Sequence, residues 1–273
     1  MTRLIPFPIV IAVLIGCEAD YMTNAEALEA LNESNQSARG EAATREAIEI
    51  STDATIGDSV EAYVETLAAF WESQVDCTTV SWDGITVTVD YGDLADNCTY
   101  NGKTYAGLVE VAVSHSTLTE LDLEHTWTGF NNGDVQVDGS AQVSWDRTSD
   151  TSTIHTEHTW TDLDDETSVD VEGDHVWSYI DSDQKILGGL TLNGTRDWTS
   201  NSKAWHLDMT SLEIRLQDPV PQNGHIELIN PDHKTLRIDY SRIDESTIEA
   251  VISGLRQDLI FHINQAGAIV EEE

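Results

Sequence analysis

Basic residues are scarce in this chain. Thirteen Lys and Arg stand against 50 Asp and Glu, a formal net charge of −37 over 273 residues. A surface of that sign repels phosphate backbones, which excludes nucleic acid as a partner. It also avoids anionic head groups, so charge does not hold the chain at a membrane. Long apolar runs are missing too. The run from Leu4 to Val13 is shorter than the roughly 20 residues of a spanning helix, and Pro6 and Pro8 interrupt its start. Cysteines number three, with no Cys-x-x-Cys among them, which sets aside thioredoxin-like chemistry. The chain has no phosphate loop, no dinucleotide fingerprint and no Gly-x-Ser-x-Gly elbow. With 50 acids, carboxylate pairs of the glycosidase kind arise by chance and identify nothing. No enzyme class is left with a positive signal.

The N-terminus does carry one. Arg3 precedes the apolar run, which closes on Leu14-Ile15-Gly16-Cys17. A basic start, an apolar core, small residues and then Cys resemble a bacterial lipoprotein signal with its lipobox. The resemblance implies that residues 1–16 are removed and that Cys17 carries the lipid, including palmitate. A plain signal peptide is the alternative, but it would want a small-x-small cleavage site. Glu18 follows Cys17 where Asp would retain a Gram-negative lipoprotein at the inner membrane, so the outer membrane is the expected destination. A Gram-positive host would place the anchor on the plasma membrane. With Cys17 lipidated, Cys77 and Cys98 remain as a pair, and outside the cytoplasm a disulfide is expected between them.

Residues 17–57 are rich in Ala, Glu, Asn and Ser and poor in large apolar residues. They read as an acidic, mostly disordered tether with at most two short helices, over 24–31 and 41–48. Residues 58–76 read as an amphipathic helix. Asp58 or Ser59 caps it, and Val60, Tyr63, Val64, Leu67, Phe70 and Trp71 recur at spacings of three and four. From 77 to 273 the period is two. Ile85, Val87, Val89 and Tyr91 alternate with polar residues after an Asp83-Gly84 turn signal, and similar runs follow to Phe261-x-Ile263. The expected fold is mainly β: an antiparallel sandwich, a barrel-like sheet or a long curved meander. Pro219 and Pro221 mark a bend, a candidate join between two parts of the sheet.

A loose repeat runs through the β region. Val135-Gln-Val-Asp-Gly139, Val169-Asp-Val-Glu-Gly173 and Leu190-Thr-Leu-Asn-Gly194 each lead to a Trp, at Trp145, Trp177 and Trp198. The irregular spacing reads as recurring hairpins, not as a solenoid. The stretch Ile85-Thr-Val-Thr-Val-Asp-Tyr-Gly92, then Cys98, Asn101-Gly102 and Gly107, resembles a motif of uncharacterised β-rich envelope lipoproteins. It departs from that motif in having Tyr91 for Phe and a longer gap before Cys98. The resemblance covers about a third of the chain and implies no activity.

Candidate binding residues come from three His-x-Trp pairs: His125 with Trp127, His158 with Trp160, and His175 with Trp177. Residues two apart on a strand share a face. Lying together, these six would form a ligand face, with imidazoles for a metal or indoles for sugar rings; otherwise they form a Trp-rich core with His at its edge. His155-Thr-Glu-His158 is set aside as a zinc motif, because its two His point to opposite sides of a strand. No cofactor is expected, and calcium is the one ion with candidate ligands, in Asp162-Leu-Asp-Asp-Glu166 and Asp181-Ser-Asp183. The sequence points to a non-enzymatic, lipid-anchored envelope protein with a structural or ligand-binding role at the cell surface or periplasm and a glycan or protein partner. A carbohydrate-binding or carbohydrate-processing protein is the alternative.

Overall fold

The computed structural model describes residues 21–53, 59–74, 77–96, 98–100, 103–164, 166–184, 188–215, 218, 220–264 and 267–270. Cys17 and the whole signal segment lie outside these residues. Two helices, α1 (Asn24–Asp53) and α2 (Val60–Gln74), precede the sheet. The strands are β1 (Thr79–Asp83), β2 (Thr86–Asp90), β3 (Cys98–Tyr100), β4 (Lys103–Ser116), β5 (Glu120–Asn131), β6 (Val135–Asp146), β7 (Thr151–Asp162) and β8 (Ser168–Tyr179). They continue as β9 (Leu190–Ser200), β10 (Lys203–Ile214), β11 (Asn223–Ile229), β12 (Thr235–Arg242), β13 (Thr247–Ser253), β14 (Leu259–Asn264) and β15 (Ile269–Val270). All but β3 follow one another in a single antiparallel path, and β3 pairs with β4 beside it. The sheet does not close on itself. Of the three expected β architectures, the open meander is the one observed. Pro221 divides nothing: β10 pairs directly with β11 across that connection. Among the described residues no helix is long and apolar enough to cross a membrane.

The first hairpin forms next to its predicted turn. Asp83 pairs with Thr86, so Gly84 and Ile85 make the two-residue loop, with Gly84 at φ 58°. The disulfide Cys77–Cys98 joins the chain ahead of β1 to β3. Helix α2 covers this end. Ser59 caps it through the Ala62 amide at 3.3 Å, and Tyr63, Val64, Leu67 and Trp71 are buried against β1, β2 and β4. The Trp71 indole donates to the Tyr91 hydroxyl at 3.1 Å. Tyr91 packs in turn with Tyr105 and Phe130 at centroid separations of 5.6–5.8 Å. Phe130 reaches that cluster because a β-bulge between Trp127 and Phe130 turns it onto the same face.

The helix in the N-terminal segment is longer than the two short ones expected over 24–31 and 41–48. Residues 24–53 form one continuous helix that lies on the buried face of the sheet. Thr23 and Glu26 make a reciprocal capping box, with the Glu26 amide on the Thr23 hydroxyl and the Thr23 amide on the Glu26 carboxylate. The buried stripe is Ala27, Ala30, Ser37, Thr44 and Ile48, mostly small residues. Small side chains leave no apolar signature in the sequence, yet they let the helix settle close onto a sheet whose own residues supply the bulk. Polar contacts fix its orientation. Lys234 bonds Glu26 and Lys203 bonds Glu29, each at 2.6 Å, and Ser200 donates to Glu33. The Lys234 ammonium and the Thr23 amide pull the Glu26 carboxyl down to about 2.

The repeated glycines also differ from the reading. Gly139, Gly173 and Gly194 sit inside β6, β8 and β9, not in turns. Gly139 and Gly194 adopt φ 147° and 150° and lie opposite His158 and His175 in the ladder. A Cβ at either position would press into the backbone of the facing His. Gly139 and Gly194 therefore mark close approach between strands beside His158 and His175.

Candidate functional site

The six predicted ligand residues fall on one face of the sheet, and that face is the buried one. His125 and Trp127 lie on β5, His158 and Trp160 on β7, and His175 and Trp177 on β8. Strands β7 and β8 are neighbours, while β6 separates β5 from β7. His125 stacks on Trp127 at 5.9 Å, and Trp127 meets His158 edge-on at 6.5 Å. All three His, together with Trp127 and Trp160, are buried, and Trp177 is half-buried with its ring edge-on to Tyr179 at 5.5 Å. A sugar stacks on an indole face that solvent reaches. Trp127 and Trp160 offer none. Trp71, Trp145, Trp198 and Trp205 are buried as well, which leaves Trp82, 49% exposed, as the open indole among the described residues.

Burial also sets the charge state of the row. Desolvation pushes the His125 imidazole down to about 3. Desolvation, then the nearby His175, pushes His158 down to about 4. Both rings are neutral at pH 7. Neither ring nitrogen of His158 has a hydrogen-bond partner among the described residues. Between this row and α1 lies a small cavity of about 40 Å³, lined by Thr44 and Ile48 of the helix and by Ile154, His175, Trp177 and Leu192 of the sheet.

The opposite face is open and chemically simple. Across β5 to β10 its outward positions are almost all Thr, Ser, Asn, Gln, His and carboxylates, with Val176 and Ala204 as apolar exceptions and with no Lys or Arg. The cations of these strands go elsewhere: Arg196 and Lys203 turn to α1. An open groove of about 490 Å³ runs over β6 to β10, edged by Asp138, Glu157, Asp170, Glu172 and Asp197. Glu157 lies directly opposite Glu172, and Glu172 opposite Asp197. Like charges in direct cross-strand register destabilise a sheet. Two His relieve them in part. His155 bonds Asp174 at 2.8 Å and approaches Glu157 at 3.4 Å, and these contacts, Asp174 foremost, raise its pKa. At His206 burial pulls the pKa down, but bonds to Asp197 and Asp208 outweigh it and the net shift is upward.

Two of the calcium candidates, Asp162 and Asp181, accept hydrogen bonds within their own turns, and Asp165 lies outside the described residues. The Asp181 carboxylate caps its own turn, accepting from the Asp183 and Gln184 amides and from the Gln184 side chain. Asp162 accepts from the Asp164 amide at 3.0 Å. No family model, curated protein or solved structure matches this chain.

Salt should stabilise this protein. The repulsion among in-register carboxylates is solvent-exposed, so it is screened as the Debye length falls from about 10 Å at 0.1 M to about 3 Å at 1 M salt. Thermal melts across that range should show Tm rising by about 5 °C, roughly 2 kcal/mol for a chain of this size. A flat curve would mean that bound cations already neutralise the face.

Proposed function

We propose that this chain is a lipid-anchored envelope protein that holds an acidic sheet face out to a cationic ligand or partner and catalyses no reaction. The observation that carries this reading is the contrast between the two faces. The aromatic face is covered by α1 and α2, so its Trp and His serve packing. The other face is open, edged by carboxylates and free of Lys and Arg over six strands. A net charge of −37 would draw cationic ligands to it from a distance. The anchor follows from Leu14-Ile15-Gly16-Cys17, and lipid attachment would keep so acidic a domain at a membrane that its charge alone would avoid. The carbohydrate alternative loses support from the burial of Trp127 and Trp160.

The test is Cys17→Ser in the native host. Wild type should label with palmitate and partition into detergent, whereas the variant should carry no label and stay as precursor or move to the aqueous phase. Equal detergent recovery of the two proteins overturns the anchor.

A further inference from the structure

We infer that the outer sheet face carries a divalent transition-metal site formed by His155, Glu157 and Glu172, with zinc as its best-suited ion. The inference concerns the sheet alone and stands whether or not the chain is anchored.

The ladder assembles these three groups. His155 and Glu157 are two apart on β7 and so share its outward face, and Glu172 lies opposite Glu157 on β8. One ligand atom from each lies within 4.8 Å of the other two. The imidazole makes this more than a patch of acids. Asp174, outside the three, holds the His155 Nδ1 at 2.8 Å. With Nδ1–H donating to the Asp174 carboxylate, Nε2 is the nitrogen on the Glu157 side, 3.4 Å from its carboxylate, and a metal ion there would take the place of the proton between them. Metal-ligating His residues are oriented in this way by a carboxylate behind them. The donor set of one imidazole nitrogen and two carboxylate oxygens, with open positions for water, suits zinc. Calcium would gain nothing from the imidazole, since it prefers oxygen donors throughout.

Electrostatics favour occupancy. A divalent ion between Glu157 and Glu172 turns a repulsive cross-strand pair into two bonds, on strands β5 to β10 whose outward positions hold no Lys or Arg to compete for the carboxylates. Ligands at about 2.0–2.2 Å from a tetrahedral zinc stand roughly 3.4 Å from one another, so closing from 4.8 Å asks for rotation of the exposed Glu157 and Glu172 side chains toward His155 and for no backbone movement. The site uses the half of His155-Thr-Glu-His158 that faces outward, while His158 points into the core.

The test is calorimetric titration of the full-length protein in detergent with zinc chloride, in enough NaCl to suppress diffuse counter-ion binding. Wild type should bind one zinc saturably. His155→Ala and Glu172→Gln should each weaken it at least tenfold, in line with losing one of three ligands. Asp122→Asn, on the same face but outside the cluster, should bind as wild type. Imidazole ¹⁵N spectra should show zinc moving the His155 resonances and leaving His158 unmoved. All substituted positions are outward-facing, so circular dichroism should be unchanged and a folding defect would be visible. Non-saturable zinc binding, or zinc binding that survives His155→Ala intact, overturns the site and leaves an acidic surface only. Calcium binding as tight as zinc, and indifferent to His155→Ala, overturns it equally.

Discussion

Trp160→Ala should destabilise the protein by about 4 kcal/mol, the range found when a buried aromatic residue is cut to Ala. Trp160 is 1% exposed on β7, between Val137 of β6 and Val169 of β8, which face it across the ladder. All three are buried, and the strands on both sides are held by continuous register, so the cavity has little freedom to collapse. The comparison that gives the number meaning is Trp177→Ala. Trp177 is half-buried and already borders a cavity beside α1, so its removal should cost about half as much. Urea unfolding of both variants, read from the midpoint at constant slope, measures the difference. A glycan platform predicts the reverse pattern: little lost stability at Trp160 and lost sugar binding. A cost below about 1 kcal/mol at Trp160 would show that its ring is not packed as described.

That the His-x-Trp pairs lie on the buried face, the second of the two placements open from the sequence, shows where periodicity stops being informative. Period two gives strands, and it correctly gave His125, His158 and His175 the same side as their Trp partners. It does not say which side is inside. Here both faces carry polar residues, because Ser152, Thr156 and the three His are on the buried face, so polarity did not separate the faces cleanly. Helix α2 was legible because its apolar residues are large. Helix α1 was not, because Ala27, Ala30, Ser37 and Thr44 look like spacer composition. One signal for it did exist, the capping box at Thr23 and Glu26. The outward cluster was missed for a related reason. In His155-Thr-Glu-His158 the two His diverge, while His155 and Glu157 share a face at strand spacing. Their third partner, Glu172, is 15 positions on and becomes visible only with the β7–β8 register. Gly punctuates turns most often, so recurring hairpins are what these glycines suggest in the sequence. Inside long paired strands it instead admits a neighbouring backbone.

Acidification from pH 7.5 to pH 5 should cost the protein about 4 kcal/mol, with the loss beginning near pH 6.5. His125 and His158 are buried neutral, with pKa values pushed down to about 3 and about 4 from the ordinary 6.5. A lowered folded value means that the unfolded chain takes up the protons first. Above pH 6.5 both states are neutral at these positions and no penalty exists. Below it each His favours unfolding by about 1.4 kcal/mol per pH unit, so at pH 5 each contributes about 2 kcal/mol. Opposing effects are smaller in this window. His155 and His206 have raised values, so their contribution is present below pH 6.5 and fades as pH rises through the folded value, but both are about a third exposed and solvent screens their pairs. Carboxylates titrate near pH 4 in general, so relief of the outer-face repulsion comes mainly below pH 5. Glu26, held at about 2 by Lys234, stays charged throughout. Urea midpoints at pH 7.5, 6 and 5 measure the loss. His158→Leu supplies the control, because it replaces a ring whose nitrogens have no partner among the described residues with an apolar side chain of similar size. The variant should match or exceed wild type at pH 7.5 and lose about half as much at pH 5. Stability that is flat from pH 7.5 to 5 in wild type would mean that water or a counter-charge reaches these imidazoles, and the closed aromatic face would then have to be abandoned.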